Sequence, residues 1–240
     1  MWNRLACQAG FHSGTGLFCF AYALTHSFPS LPVLNSLHPE AGAALPLMEQ
    51  FYTIQGEGYN AGRAAYFLRL GGCDVGCVWC DVKESWDADQ HPRVAISDMV
   101  AAATANAGRN VVITGGEPLM HDLTSLTTAL KEAGCQNWIE TSGAYPLSGI
   151  WDWICVSPKK FKAPLPEVVA QAHELKVVVF HKSDFVWAEQ HAAMAGPQTR
   201  LYLQPEWSKA AIMTPLIIEY VKAHPQWQIS LQTHKYLDIP

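Results

Sequence analysis

The sequence predicts an α/β protein whose strands form a full or partial parallel barrel. Short apolar, β-branched runs alternate with stretches of helical period, the pattern of repeated βα units. Polar and charged residues gather just after those runs, where the ligand-binding loops of such folds lie. The chain has 240 residues, 49% of them hydrophobic, which suffices for one substantial core.

Order is expected from Pro46 onward. Between Met1 and Met48 the only charged residues are Arg4 and Glu40, and no helical or strand period runs through the segment. Residues 1–45 read as a disordered leader or as upstream sequence from a wrongly chosen start. Residues 16–24 resemble the apolar core of a signal peptide, but a single basic residue precedes them. A chain starting at Met48 is expected to keep its fold and activity.

The first strand is expected at 51–54, ending in Gln55-Gly56-Glu57-Gly58. A second covers 64–70, interrupted by Arg69, whose charge needs an anionic partner, either a structural carboxylate or a bound one. Residues 85–93 read as a loop. Ser97 is placed to cap a helix reaching about residue 107. The strand at 111–114 leads into Gly115-Gly116-Glu117-Pro118, and Asp122 is placed to cap a helix that stops at Gly134. Strands follow at 138–141, closing on Glu140 and Thr141, and at 153–156, closing on Ser157-Pro158-Lys159-Lys160. Residues 175–180 form a continuous β-branched run, as buried parallel strands read. A helix at 184–195, a strand at 201–203 leading to Gln204-Pro205-Glu206-Trp207, a helix at 208–223 and a strand at 227–231 complete the chain.

Between the second and third of these units lies Cys73-Asp74-Val75-Gly76-Cys77-Val78-Trp79-Cys80. It holds three of the chain's seven cysteines, spaced C-x3-C-x2-C. Thiolates this close converge and repel unless a cation or cluster holds them. Iron–sulfur clusters usually take four cysteines, and no fourth follows nearby, so a four-iron cluster here would keep one iron open to a small molecule. Zinc completed by His91 or a distant histidine, and three buried structural cysteines, are the competing readings. A clustered, odd cysteine count does not read as a disulfide framework and fits a reducing cytoplasm. The net charge is -5 with no basic run, which argues against nucleic-acid binding. No apolar stretch reaches the roughly 18 residues that span a bilayer.

The cysteine spacing is that of radical S-adenosylmethionine (SAM) enzymes. Taken with QGEG, RLGGC, ITGGEP, IETSG, WICVSPK, LQPEW and the closing LQTHKYLDIP, the chain resembles the 7-carboxy-7-deazaguanine synthases over about residues 46–240. That resemblance implies a partial, modified TIM-type barrel of the radical SAM kind and a homodimer. It implies conversion of 6-carboxy-5,6,7,8-tetrahydropterin to 7-carboxy-7-deazaguanine with loss of ammonia, a precursor step for queuosine. SAM would act catalytically, magnesium would assist, and an electron donor such as flavodoxin or ferredoxin would be needed.

Carried onto this sequence, the resemblance gives Cys73, Cys77 and Cys80 to a [4Fe-4S] cluster. Trp79, Cys80, Asp81, Gly116, Glu117, Ser157, Pro158, Lys159, Gln204, Pro205, Glu206 and Trp207 go to SAM, with Glu117 suited to its ammonium. Ile54, Gln55, Gly56, Glu57, Arg69, Thr114, His234 and Pro240 go to the substrate. The resemblance fails at Val82, where many relatives have a magnesium-binding threonine. Asp81 and Glu84 are the remaining candidates beside the ion. A glycyl-radical-enzyme activase shares the cysteine spacing but leaves Arg69 and His234 without a role. A non-catalytic iron–sulfur or zinc protein would normally fill every coordination site itself.

Overall fold

The computed structural model describes residues 43–240, so the expectations for 1–42 lie outside the described residues. The strands are β1 (Ala44–Ile54), β2 (Ala64–Leu70), β3 (Arg93–Ala95), β4 (Asn110–Gly115), β5 (Gln136–Thr141), β6 (Trp153–Val156), β7 (Glu174–Val179), β8 (Arg200–Pro205) and β9 (Trp227–Ile229). The helices are α1 (Ile96–Thr104), α2 (Thr124–Glu132), α3 (Pro166–Val169), α4 (Asp184–Ala192), α5 (Ala210–Ala223) and α6 (Thr233–Leu237). The strands form one sheet in the order β3-β1-β2-β4-β5-β6-β7-β8-β9. From β2 to β9 every pairing is parallel, whereas β1 runs antiparallel to both β2 and β3. β3 and β9 are the two free ends of that order, so the barrel is open, as expected of a partial one.

Side chains alternate across each parallel strand, and that alternation makes both the core and the site. Leu68 and Leu70, Val111 and Ile113, Ile139, Ile154 and Val156, Leu175 and Val177 join Leu123 at the start of α2 and the helices' Leu126, Leu130 and Ile217 in the main core. The opposite face starts with a smaller apolar plug of Ala65, Val112 and Trp138, covered by Phe67 and Trp153. Further along, the same face carries Arg69, Thr114 and Glu140 on those strands, Lys176 on β7 and Gln204 on β8.

Several boundaries differ from expectation. β1 begins at Ala44, not at 51, because Ala44–Pro46 pair with β3 and Leu45 and Leu47 are buried. Pro46 therefore lies inside a strand, and a start at Met48 would strip two core leucines. α1 is preceded by Ala95, and Ser97 lies within the helix rather than capping it. Asp122 stands one residue before the α2 cap position, yet its carboxylate accepts from Thr124 N at 2.9 Å. The loop after the cysteines contains two single 3-10 turns, Lys83–Ser85 and Ala88–Gln90. α3 and α6 were not foreseen. Among the described residues no helix is long and apolar enough to cross a membrane.

Candidate active site

At the C-terminal ends of the parallel strands the loops enclose a cavity of about 300 Å³. Cys73, Cys77 and Cys80 line it, and none is in a disulfide. Their loop leaves β2 and is held from outside, Gly72 N donating to Ser85 O at 2.7 Å and Cys73 N to Trp86 O at 3.0 Å. Gly72 and Gly76 sit at φ 107° and 74°, a region that glycine enters without steric cost, and this lets the run turn back on itself. Burial pushes the Cys77 thiol up to about 11; the charge of Lys159 opposes this, while Cys80 and Cys73 add to it. Burial likewise raises Cys73.

The surroundings fit a cluster. A Cβ on Gly116 would collide with Gly72 O and Cys73 Cβ, so the β4 loop lies directly against the cysteine loop. Among the described residues no three His, Cys, Asp or Glu side chains converge tightly enough to hold a single ion. Cluster ligands each bind a different iron and need no such convergence. His91, the candidate fourth zinc ligand, instead sets its Nε2 2.8 Å from Glu84 O.

The floor of the cavity is a charged network centred on Lys176, which is 3% exposed. Its Nζ donates to Glu57 Oε2 at 2.6 Å and to Glu140 Oε2 at 2.9 Å. Gln232 Nε2 donates to Glu57 Oε1 at 2.9 Å, and Gln55 Nε2 to Glu140 Oε1 at 3.2 Å. Burial works to raise the Glu57 pKa, but the Lys176 charge and hydrogen bonds from Lys176, Gln232 and Gln204 outweigh it and hold the carboxyl at about 2. Lys176 is held charged, well above its usual range: burial opposes this, but Cys155, Glu140, Glu57 and Glu174 together prevail.

Glu174 lies beside this network and accepts from Tyr59 N at 3.2 Å and Trp153 Nε1 at 3.0 Å. Its Oε1 is buried with no partner among the described residues. Burial pushes its pKa up to about 7; Lys176 opposes and Glu140 reinforces the rise. An unfolded carboxyl ionises near 4.5, so between there and about 7 the folded state keeps a proton that the unfolded state has released. Stability from this group is therefore greatest at acid pH and falls as pH rises through that window. Glu174→Gln removes the titration. Its melting temperature relative to wild type should climb between pH 5 and pH 8, roughly the window either side of that ionisation. An equal difference at both pH values would mean that Glu174 ionises normally.

All the expected site residues except Pro158 and Glu84 line the main cavity. Pro158 lines an adjoining recess with Trp79 and Lys159. Arg69 faces the cavity, but its Nε already donates to Glu49 Oε1 at 2.6 Å, its register partner on β1. Glu117 is the most firmly held of the cavity's carboxylates. Its carboxylate accepts from Leu119 N at 3.1 Å, Thr141 Oγ1 at 2.5 Å and Ser142 N at 2.8 Å, and also from Ser142 Oγ. Through these contacts Glu117 ties β4 to β5 while lining the cavity beside Gly116. Glu206 similarly accepts from Ser208 N and Lys209 N at 3.1 and 3.2 Å, capping the turn after β8.

α6 closes the cavity's rim. Thr233 N and Oγ1 both donate to Gly56 O, at 2.9 and 2.8 Å. Lys235 Nζ reaches Asp81 Oδ2 at 3.0 Å, joining the C-terminal helix to the cysteine loop. His234 lies so close to Gly56 that a Cβ there would collide with its ring, and burial lowers its pKa toward the neutral imidazole. Lys176, Glu140 and Gln232 are the residues that sequence reasoning missed. The signal for Lys176 was a lysine inside an otherwise apolar strand.

The family model for a 4Fe-4S single cluster domain matches residues 54–152. The 7-carboxy-7-deazaguanine synthase of Flavobacterium psychrophilum is 58% identical over 201 residues, covering 84% of this chain and 95% of that protein. The synthase of the same name from Synechocystis sp. is 50% identical over 194 residues, covering 81% and 93%. The crystal structure of QueE from Escherichia coli superposes with a TM-score of 0.71 at 33% identity, covering 78% of this chain and 93% of that one. An open, mostly parallel sheet with a cysteine-lined cavity at its strands' C-terminal ends is an iron–sulfur enzyme of the radical SAM kind. Within that class, the chain belongs to the 7-carboxy-7-deazaguanine synthase family.

Proposed function

We propose that this enzyme converts 6-carboxy-5,6,7,8-tetrahydropterin to 7-carboxy-7-deazaguanine with loss of ammonia, feeding queuosine and related 7-deazapurines. One observation carries the reading: the three cysteines and the Glu57, Arg69, Thr114 and His234 set line the same cavity. Cys73, Cys77 and Cys80 would hold a [4Fe-4S] cluster. With SAM bound, that cluster supplies a carbon radical able to take hydrogen from the substrate, and this chemistry belongs to the cofactors.

The chain's own task is to bind, orient and exclude water. Trp79, Ser157, Lys159 and the run from Gln204 to Trp207 offer stacking and polar contacts for the adenosyl part, and backbone carbonyls near Gly116, with Glu117, are the acceptors for the ammonium. Lys159 Nζ is 5.6 Å from the Trp79 ring and donates to Ser157 O, which holds that wall together. Glu57, kept ionised by Lys176, has one acceptor position left for an N–H group of the pterin edge. Asp81 and Val82 would stand nearest magnesium. The enzyme works as a cytoplasmic homodimer and draws electrons from a flavodoxin or ferredoxin. Anaerobic reconstitution tests the cofactor reading. It should give about four irons per chain and a spectrum that changes on adding SAM; colourless protein, or a spectrum indifferent to SAM, would overturn it.

Arg69→Ala should raise the substrate KM about a hundredfold, since losing a charge-assisted, bidentate partner for the carboxylate costs roughly 3 kcal/mol. Uncoupled formation of deoxyadenosine should survive. Unchanged binding of the carboxylated pterin would leave Arg69 as the partner of Glu49 alone. Val82→Thr is nearly isosteric but adds an oxygen. It should lower the magnesium concentration for half-maximal rate and leave the metal-free rate almost unchanged. An unaltered magnesium requirement would mean that residue 82 does not face the ion.

A further inference from the structure

Val78 stands between two of the cysteines, yet its apolar side chain is 67% exposed. Phe161, 44% exposed, lines the same recess and packs edge-on to Trp79 with ring centroids 6.3 Å apart. Lys160 and Lys162 flank Phe161 in the chain. Lys160 and His181 line that recess, Lys182 follows His181 on the exposed loop, and Lys162 follows Phe161. Two carboxylates answer them: Asp184 pairs with Lys160 at 2.5 Å and is itself nearly buried, and Asp74 pairs with Lys162 at 2.7 Å. Those two pairs leave Lys182 as the one unbalanced charge among these groups, a positive one in a chain whose net charge is -5. None of these lysines has a part in holding the substrate.

We propose that this face, with Val78 and Phe161 at its centre and Lys160, Lys162 and Lys182 around them, docks an acidic one-electron carrier protein. The proposal rests on the iron–sulfur reading of the cysteines. One electron leaves the reduced carrier and one enters the cluster, with no bond made or broken. Val78 offers contact on the cluster's own loop. A small apolar centre in a charged rim suits the transient encounters of redox partners, which bury less than about 1,200 Å². A second copy of the chain fits poorly, because an isologous pairing would set lysine rim against lysine rim.

The test uses the reconstituted enzyme with reduced flavodoxin as the acidic carrier, following the cluster's visible absorbance anaerobically at low and high salt. In wild type the rate should fall steeply with salt. Lys182→Glu and Phe161→Ser should each slow carrier-driven reduction, Lys182→Glu by about tenfold at low salt with a flattened salt dependence. Reduction by dithionite and dithionite-driven turnover should stay at wild-type rates in both, which separates docking from folding. Carrier-driven rates equal to wild type in both variants would overturn the proposal. So would a change in sedimentation showing that the face joins two copies. Failure of dithionite to reduce the wild-type centre would instead remove the iron–sulfur reading, and the docking proposal with it.

Discussion

Lys176→Met is expected to destabilise the protein by about 3 kcal/mol, because it removes a buried cation and leaves two partly buried carboxylates without it. Glu57 and Glu140 both receive a hydrogen bond from Lys176 Nζ, and both come from other strands or loops. Methionine keeps the length of the side chain and its apolar stem, so packing changes little and the loss is electrostatic. For a chain of this size the melting temperature should drop by roughly 10 °C at neutral pH. The deficit should also depend on pH. Glu57 sits at about 2 when folded against 4.5 unfolded, so its contribution is present above 4.5 and disappears as pH falls through 2. Without Lys176 its carboxyl protonates more readily, and the gap between variant and wild type should narrow on acidification. A melting temperature within about 2 °C of wild type would show that the carboxylates find water or other partners and that the network is not structural.

Cys77→Ala should abolish product formation and most iron binding while leaving a folded chain. The cysteine belongs to a loop whose path is set by backbone bonds from Gly72 and Cys73 to the neighbouring turns, and not by the thiol. Circular dichroism and the thermal transition should resemble those of the wild-type apoprotein, while iron content and the visible spectrum collapse. Wild-type turnover in Cys77→Ala would refute the assignment of the cysteine run.

The parallel strands were legible because each is a short apolar run with a polar terminus, and β4, β5 and β6 were anticipated to within two residues. What the pattern concealed was the inner face. Read as a run, residues 175–180 look uniformly buried; in the sheet, Val177 packs among the helices while Lys176 projects into the barrel. The reasoning applied to Arg69, that a charge in an apolar strand must meet an opposite charge, applies equally to Lys176. Its partner Glu57 lies 119 residues away, a separation over which sequence carries no spacing signal. The surroundings of Glu117 were hidden for a related reason: the groups that hold its carboxylate, Thr141 at the end of β5 and Ser142 just after it, lie more than twenty residues away. β1 escaped notice at its start because Ala44–Pro46 has no period of its own and is extended by pairing with β3. α6 is five residues long and is held by Gly56 and Asp81, tertiary contacts rather than propensity.

The central claim is that the cysteine loop and the polar floor serve one reaction in one cavity. The most direct measurement incubates the reconstituted, reduced protein with SAM, magnesium and 6-carboxy-5,6,7,8-tetrahydropterin under anaerobic conditions and examines the mixture by mass spectrometry. The account predicts 7-carboxy-7-deazaguanine together with released ammonia, and neither when Cys77→Ala replaces wild type. Cleavage of SAM by a fully loaded enzyme, with the pterin recovered unchanged, would contradict it.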